Sequence, residues 1–420
     1  MHTRKTERRT RHPLQFKKSS AYIALGAVIV CAVAIFYVPH EWRASFASAL
    51  TEVTEKPVEN TKPKAEHIQP PEPLKGIYMS QCVVGTPSFR EKLVKLVDET
   101  ELNAIIIDIK DYTGKIAFTT DNPALADSVS DACGARDMRS FVQTLHEKGI
   151  YVIGRITVFQ DPYYTSKHPE AAVKSLSTGG AWKDHKGLAF IDVSHRPYWD
   201  YVVELSREAY EVFGFDELNY DYIRYPSDGP MKDAVYVNQN KPEAVELFWK
   251  YLSEKVKPIG VTMSADLFGM TATNTDDLNI GQQLERALPH FDYVMPMVYP
   301  SHYPKGFNNL GNPNMYPYEI VQFSMAEAAR RAQSTQTVVK TLGGTAIAST
   351  SPQLYTKPAH SPLKLRTWLQ DFDYGKEYTV ADVKAQIRGT YDAGLSSWIF
   401  WDPANRYDSL KGALAEEGTL

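Results

Sequence analysis

Cysteine is scarce in this chain, three in 420 residues, and only Cys82 and Cys133 lie outside a single apolar run near the start. Two cysteines so far apart form no zinc signature; they allow one disulfide in an oxidising compartment without requiring it. Histidines 185, 195, 290 and 302 show no HExxH or comparable spacing, so a metal site is not expected, and no motif asks for a cofactor. A G-x-S-x-G elbow is missing, which disfavours a serine esterase of the α/β-hydrolase kind. No Gly-rich phosphate turn follows the first strand-like run, Gly76–Ser80, as an open doubly wound sheet would show. There is no repeat of solenoid or propeller length.

Positive charge is short in most of the chain because it is concentrated at one end. Residues 1–20 carry Arg4, Lys5, Arg8, Arg9, Arg11, Lys17 and Lys18 against the single acid Glu7, and residues 21–38 then run without a charge. A basic flank before an apolar stretch of this length reads as a cytoplasmic tail and a membrane-inserting helix, leaving the rest extracytoplasmic. Ala47-Ser48-Ala49 resembles a cleavage site but lies well beyond the apolar run, so a retained signal anchor is favoured over a cleaved signal. Without the tail, Lys plus Arg falls from 46 to 39 and Asp plus Glu from 50 to 49, a formal charge of about −10 that disfavours nucleic acid as a partner. Residues 39–74, rich in Pro, Glu and Lys, read as an extended linker.

From residue 75 to 420 the texture alternates between short β-rich runs and longer amphipathic ones. The expected strands are Gly76–Ser80, Asn103–Lys110, Tyr151–Phe159, a fourth opening Phe215–Gly229, Val261–Gly269, Asp292–Pro300, Leu365–Phe372 and Ser396–Pro403. Eight strands separated by helical stretches imply right-handed crossovers and a closed parallel (β/α)₈ TIM barrel, preceded by one transmembrane helix and the linker. Thr337–Gly344 competes as a seventh strand but is read as part of an insertion after a helix.

In such a barrel the active site gathers at the C-terminal strand ends, where this chain places acids: Asp108, Asp221, Asp266, Asp371 and Asp402. Strand residues alternate faces, so Asn219 and Asp221 share one side, apart from Leu218, Tyr220 and Tyr222, and Asp266 joins Thr262 and Ser264 on the neighbouring strand. Asp221 and Asp266 should therefore stand across adjacent strand ends. Mutual repulsion and desolvation would split their pKa values into the acid and base that glycoside hydrolysis needs. Asp221, with Arg224 and Asn219 nearby to keep it ionised, is assigned as nucleophile or base, and Asp266 as acid. Asp108 with Lys110 on the same face forms either an ion pair or a substrate contact. Arg224 either lies on the surface or grips a carboxylate or an acidic sugar. Tyr299, His302 and Trp401 either fill core or stack on sugar rings, and Gln370 and Asp402 complete the candidate substrate contacts.

The segments IDIKDYTG (Ile107–Gly114), NYDYIRYPSDG (Asn219–Gly229), MSADLFG (Met263–Gly269), MPMVYPSHY (Met295–Tyr303), TWLQDF (Thr367–Phe372) and WIFWDPANRY (Trp398–Tyr407) resemble the glycoside hydrolase-like barrel family of bacterial envelope proteins once catalogued as a domain of unknown function. The resemblance covers about Lys75–Tyr407. It departs from the family at Thr367, where proline is expected, and in the insertion before it. It implies a TIM barrel related to glycosidases, without a known substrate. The expectation is a membrane-anchored glycoside hydrolase acting on an envelope or extracellular polysaccharide; the alternatives are a barrel that binds glycan without cleaving it and an envelope scaffold.

Overall fold

The structure, a computed structural model, describes residues 65–339 and 353–415. The basic tail, the apolar run, most of the linker and the end of Thr337–Gly344 lie outside the described residues. Among the described residues no helix is long and apolar enough to cross a membrane.

Eight parallel strands close into one barrel: β1 Lys75–Met79, β2 Ala104–Lys110, β3 Tyr151–Thr157, β4 Glu217–Asp221, β5 Thr262–Phe268, β6 Tyr293–Met297, β7 Thr367–Gln370 and β8 Trp398–Trp401. Each strand pairs with its sequence neighbours, and β8 closes on β1 from Lys75↔Trp398 to Ile77↔Phe400. A helix follows each strand: α1 Pro87–Asp98, α2 Met138–Glu147, α3 Arg196–Arg207, α4 Lys241–Val256, α5 Leu284–Ala287, α6 Pro317–Gln333, α7 Val380–Asp392 and α8 Asp408–Ala415.

The sequence explains these elements locally. Every residue of β2, AIIIDIK, is buried, because helices cover one face and the barrel interior the other. Helix α2 buries Met138, Phe141, Val142 and Leu145, one face at helical spacing. Helix α1 opens on Pro87, and α7 opens on a capping box between Thr379 and Asp382. The alternation of strand side chains divides the core in two. Tyr78, Ile106, Ile153, Met295 and Trp368 pack inside the barrel, whereas Ile105, Ile107, Leu218, Met263 and Leu267 pack between barrel and helices.

Three expectations need adjustment. Strand β4 ends at Asp221, and Tyr222 takes a left-handed backbone with φ 51°, so the alternation assigned to Tyr222 stops one residue short of it. Gln336–Val339 is a strand, but it pairs antiparallel with Gln353–Thr356 in a two-stranded sheet outside the barrel, which leaves the seventh position to β7. Residues 65–74 do not behave as spacer. The Ile68 N–H donates to Asp216 (2.8 Å), the His67 ring stacks on Tyr210 (3.8 Å between centroids), and Leu74 is fully buried. Their apolar side chains find cover on the barrel, so the folded unit begins before residue 75.

Cys82 and Cys133 are joined in a disulfide that ties the turn after β1 to the loop after β2. Beside it Gly134 has φ 98°, and a Cβ there would lie 2.2 Å from the Ala117 carbonyl oxygen, so only glycine fits where these segments meet.

The N-terminal end of the barrel is sealed by a buried ion pair. Arg366 donates Nη1–H to both oxygens of Glu217 (2.9 and 2.8 Å), its guanidinium lies 3.2 Å from the Tyr293 ring centroid, and the Tyr151 hydroxyl donates to Glu217 (3.1 Å). Both charged side chains are fully inaccessible to solvent. Removing one partner leaves the other charge buried and unpaired. Arg366→Met is expected to lower the unfolding free energy by about 3–5 kcal/mol, measured by urea denaturation; a change near zero would contradict the assignment of this pair as the seal.

Candidate active site

At the opposite end, the C-terminal strand ends gather around Arg155. This residue follows Tyr151 and Ile153 on the inward face of β3, in register with Asp108 on β2 and Asn219 on β4. Its guanidinium holds three carboxylates from three strands. Nη1 donates to Asp108 (2.5 Å), Nη2 donates to Asp221 (2.5 Å), and Nε lies 3.7 Å from Asp266. Asp221 and Asp266 are thus bridged by one side chain, so their oxygens are separated by no more than a guanidinium and those two contacts.

The two carboxylates differ in their surroundings. Oδ1 of Asp266 accepts from Asn219 Nδ2 (2.9 Å) and from the Trp368 indole N–H (2.7 Å), while Oδ2 has only the distant Arg155 Nε. Burial first, and then the charge of Asp221, pushes the Asp266 carboxyl well above the usual carboxylate range, against the pull of Arg155 and its two donors. Burial and the neighbouring charge therefore favour the protonated carboxyl, and Oδ2 is the oxygen that its two donors leave free. Asp221 accepts from Arg155 and from the Tyr222 N–H (2.5 Å), the strand end bending over its own carboxylate.

Asp108 plays a supporting part. Its Oδ1 takes Arg155, and its Oδ2 accepts the Tyr78 hydroxyl; burial raises its pKa, with Arg155 opposing. The expected partnership of Asp108 with Lys110 is not formed. The β2–β3 register shifts between Asp108 and Lys110, and Lys110 instead pairs with buried Asp161 (2.8 Å) and donates to the Thr157 carbonyl (2.6 Å). Asn219 serves Asp266 rather than Asp221. Arg224 forms no ion pair with Asp221; its Nη1 donates to the Tyr225 carbonyl (3.0 Å).

The β6–β8 side of the mouth is aromatic. Tyr299 stacks on Trp401 with centroids 5.3 Å apart, and Phe372 and His302 meet Tyr299 edge-on. Tyr374, largely exposed, extends the surface beyond His302. Burial lowers the pKa of His302, whose Nδ1 pairs with the Ser301 hydroxyl (2.9 Å). Gln370 is buried and binds the Ser301 backbone N–H and hydroxyl through Oε1, so it fixes the loop between β6 and α6 rather than opening to the mouth. Asp402 also turns inward: its oxygens accept the Ala404 and Arg406 N–H groups (2.9 and 2.7 Å) and shape the turn after β8. Asp371, pushed up to about 7 by burial, accepts the Leu410 N–H (3.2 Å).

Sequence reasoning overlooked Arg155, Tyr78 and Trp368. Arg155 had a visible signal, as the one charged residue in the run YVIGRITVF. Among the described residues no group of three or more His, Cys, Asp and Glu side chains is arranged to hold a metal ion.

The carboxylate cluster depends on the cation inside it. Without Arg155 the buried Asp108 and Asp266 carboxyls, whose pKa values burial already raises against its pull, would hold their protons to still higher pH than in the unfolded chain, so stability would fall as pH rises above the ordinary carboxylate range. Arg155→Met should therefore cost about 3–5 kcal/mol at pH 8 and clearly less at pH 5. Urea unfolding at the two pH values checks this, and an equal loss at both would rule out the electrostatic account.

Residues 76–407 match a family model described as "Putative glycosyl hydrolase domain". No curated protein matches the chain. Among solved structures, a hypothetical protein from Ruminiclostridium thermocellum is 34% identical, over 45% of this chain and 96% of that one, with a TM-score of 0.41. The PgaB (BpsB) glycoside hydrolase domain from Bordetella bronchiseptica aligns over 81% of this chain and 98% of its own length at 13% identity and a TM-score of 0.55. Alpha-L-fucosidase isoenzyme 2 from Paenibacillus thiaminolyticus aligns over 82% of this chain and 49% of its own at 11% identity and a TM-score of 0.54. At such identities these last two share the fold.

Proposed function

The chain belongs to that glycosyl hydrolase-like family, and on this premise we propose that it is a membrane-anchored, extracytoplasmic glycoside hydrolase that cleaves an envelope or extracellular polysaccharide with two carboxylates. The observation that carries the reading is the pairing of Asp266 with Asp221 on the same guanidinium, where burial and the neighbouring charge bias the Asp266 carboxyl toward its protonated form.

Asp266 is the general acid. Asn219 and Trp368 fix its Oδ1, which leaves Oδ2 to deliver the proton to the departing glycosidic oxygen. Asp221 acts as nucleophile or base on the opposite side of the anomeric carbon. Arg155 holds both in place and balances part of their charge as the proton leaves Asp266. Trp401, backed by buried Tyr299, and exposed Tyr374 offer apolar ring faces to pyranose rings of a longer chain. The extracytoplasmic placement is supported by the basic flank before the apolar run and by the Cys82–Cys133 disulfide, a bond typical of oxidising compartments.

The test is new reducing ends released from a panel of envelope and capsular polysaccharides by the wild type, Asp221→Asn and Asp266→Asn. Each substitution is expected to slow cleavage about 10²-fold or more. Cleavage that survives both would remove the assignment, and binding without cleavage by the wild type across the panel would favour a glycan-binding barrel.

A further inference from the structure

Three arginines among the described residues are buried, and two of them are matched by a carboxylate. Arg331 is gripped by both oxygens of Glu285 (2.8 and 2.6 Å), and Arg366 pairs with Glu217 through Nη1 at the closed end of the barrel, its Nε and Nη2 buried without hydrogen bonds. Arg224, only 5% exposed, has no such partner. Its Nη1 donates to one backbone carbonyl, and its Nε is buried without any hydrogen bond. The guanidinium sits between two rings instead, 4.5 Å from the centroid of Tyr222 and 4.5 Å from that of Phe268.

Those rings belong to the rim of the candidate active site. Tyr222 directly follows Asp221, and Phe268 ends β5 two residues after Asp266. The ring contacts stabilise the cation modestly, and neither Nε nor Nη2 donates to a described residue, so the Nε–Nη2 edge is without an in-plane partner. That edge is the fork that binds a carboxylate, phosphate or sulfate with two parallel hydrogen bonds. A buried cation with an unmatched fork is costly, and burial accordingly lowers its pKa while Asp221 and Asp228 oppose this only through space.

We infer that Arg224 is a specificity residue for an anionic group on the glycan, so the substrate is an acidic polysaccharide whose charged sugar lies next to the bond to be cleaved. The inference rests on the mouth being a glycan site. It adds what the carboxylate pair does not specify: the class of sugar. The shared ligand chemistry is a planar or tetrahedral oxyanion, borne either as a uronic acid carboxylate or as a phosphate or sulfate ester.

The test measures binding by the full chain to oligosaccharides bearing uronic acids, to the same compounds as methyl esters, and to phosphate- and sulfate-bearing oligosaccharides beside their neutral parents. Wild type should bind at least one charged member about tenfold more tightly than its neutral counterpart. This preference should shrink to near unity in Arg224→Met, which keeps the aliphatic stem, and return in part in Arg224→Lys, with folding checked by thermal unfolding. Which charged member is preferred distinguishes carboxylate from ester. Equal affinity for charged and neutral members in the wild type overturns the proposal even if neither variant folds, as does a preference that survives in a folded Arg224→Met. Cleavage of a neutral glycan with no charge preference would leave the hydrolase reading standing and remove this one. A charge preference through Arg224 with no glycan cleaved would do the reverse.

Discussion

One guanidinium organises the mouth of this barrel. Arg155 draws Asp108, Asp221 and Asp266 from three strands onto a single side chain, and these are carboxylates that would repel one another if gathered without it. Because it supplies one positive charge to three acids, the cluster cannot be fully ionised cheaply. Burial and the charge of Asp221 raise the pKa of the most enclosed member, Asp266. The bias of Asp266 toward its protonated form therefore comes from the count of charges inside the barrel as much as from that residue alone.

The two ends of the barrel treat buried charge differently. At the closed end Glu217 and Arg366 match one to one and are sealed from solvent, an arrangement that holds strands together. At the open end the balance is uneven: acids outnumber the cation at Arg155, while Arg224 lacks an acid. Imbalance of this kind persists only where surrounding structure enforces it, and it lies here at the C-terminal end of a parallel barrel, the end at which active sites of this fold gather.

Much of this was readable from sequence, since eight apolar runs separated by amphipathic stretches define the strands and their order. The pairing of Asp221 with Asp266 followed from two-residue periodicity and the adjacency of β4 and β5. Periodicity failed where the backbone departs from it. The register shift after Asp108 turned Lys110 toward Asp161, and the left-handed Tyr222 ended β4 early. Asp402 looked like a site acid because it closes a strand, yet the turn that follows folds the Ala404 and Arg406 N–H groups onto that carboxylate. Trp368 was overlooked because a buried ring reads as filling alone, yet its indole N–H donates to Asp266; one ring can fill the interior and orient a carboxyl, and composition does not separate the two.

The segment leading into the barrel has a geometric consequence. Residues 65–74 run along the closed end, touching Asp216 just before β4 and Ser397 just before β8. The chain thus enters at the foot of the barrel, while the carboxylates and the aromatic wall stand at the brim. A cup entered at its foot keeps its opening clear: residues 65–74 bear on the sealed base and leave the brim, with its carboxylates and aromatic wall, unobstructed by their own course.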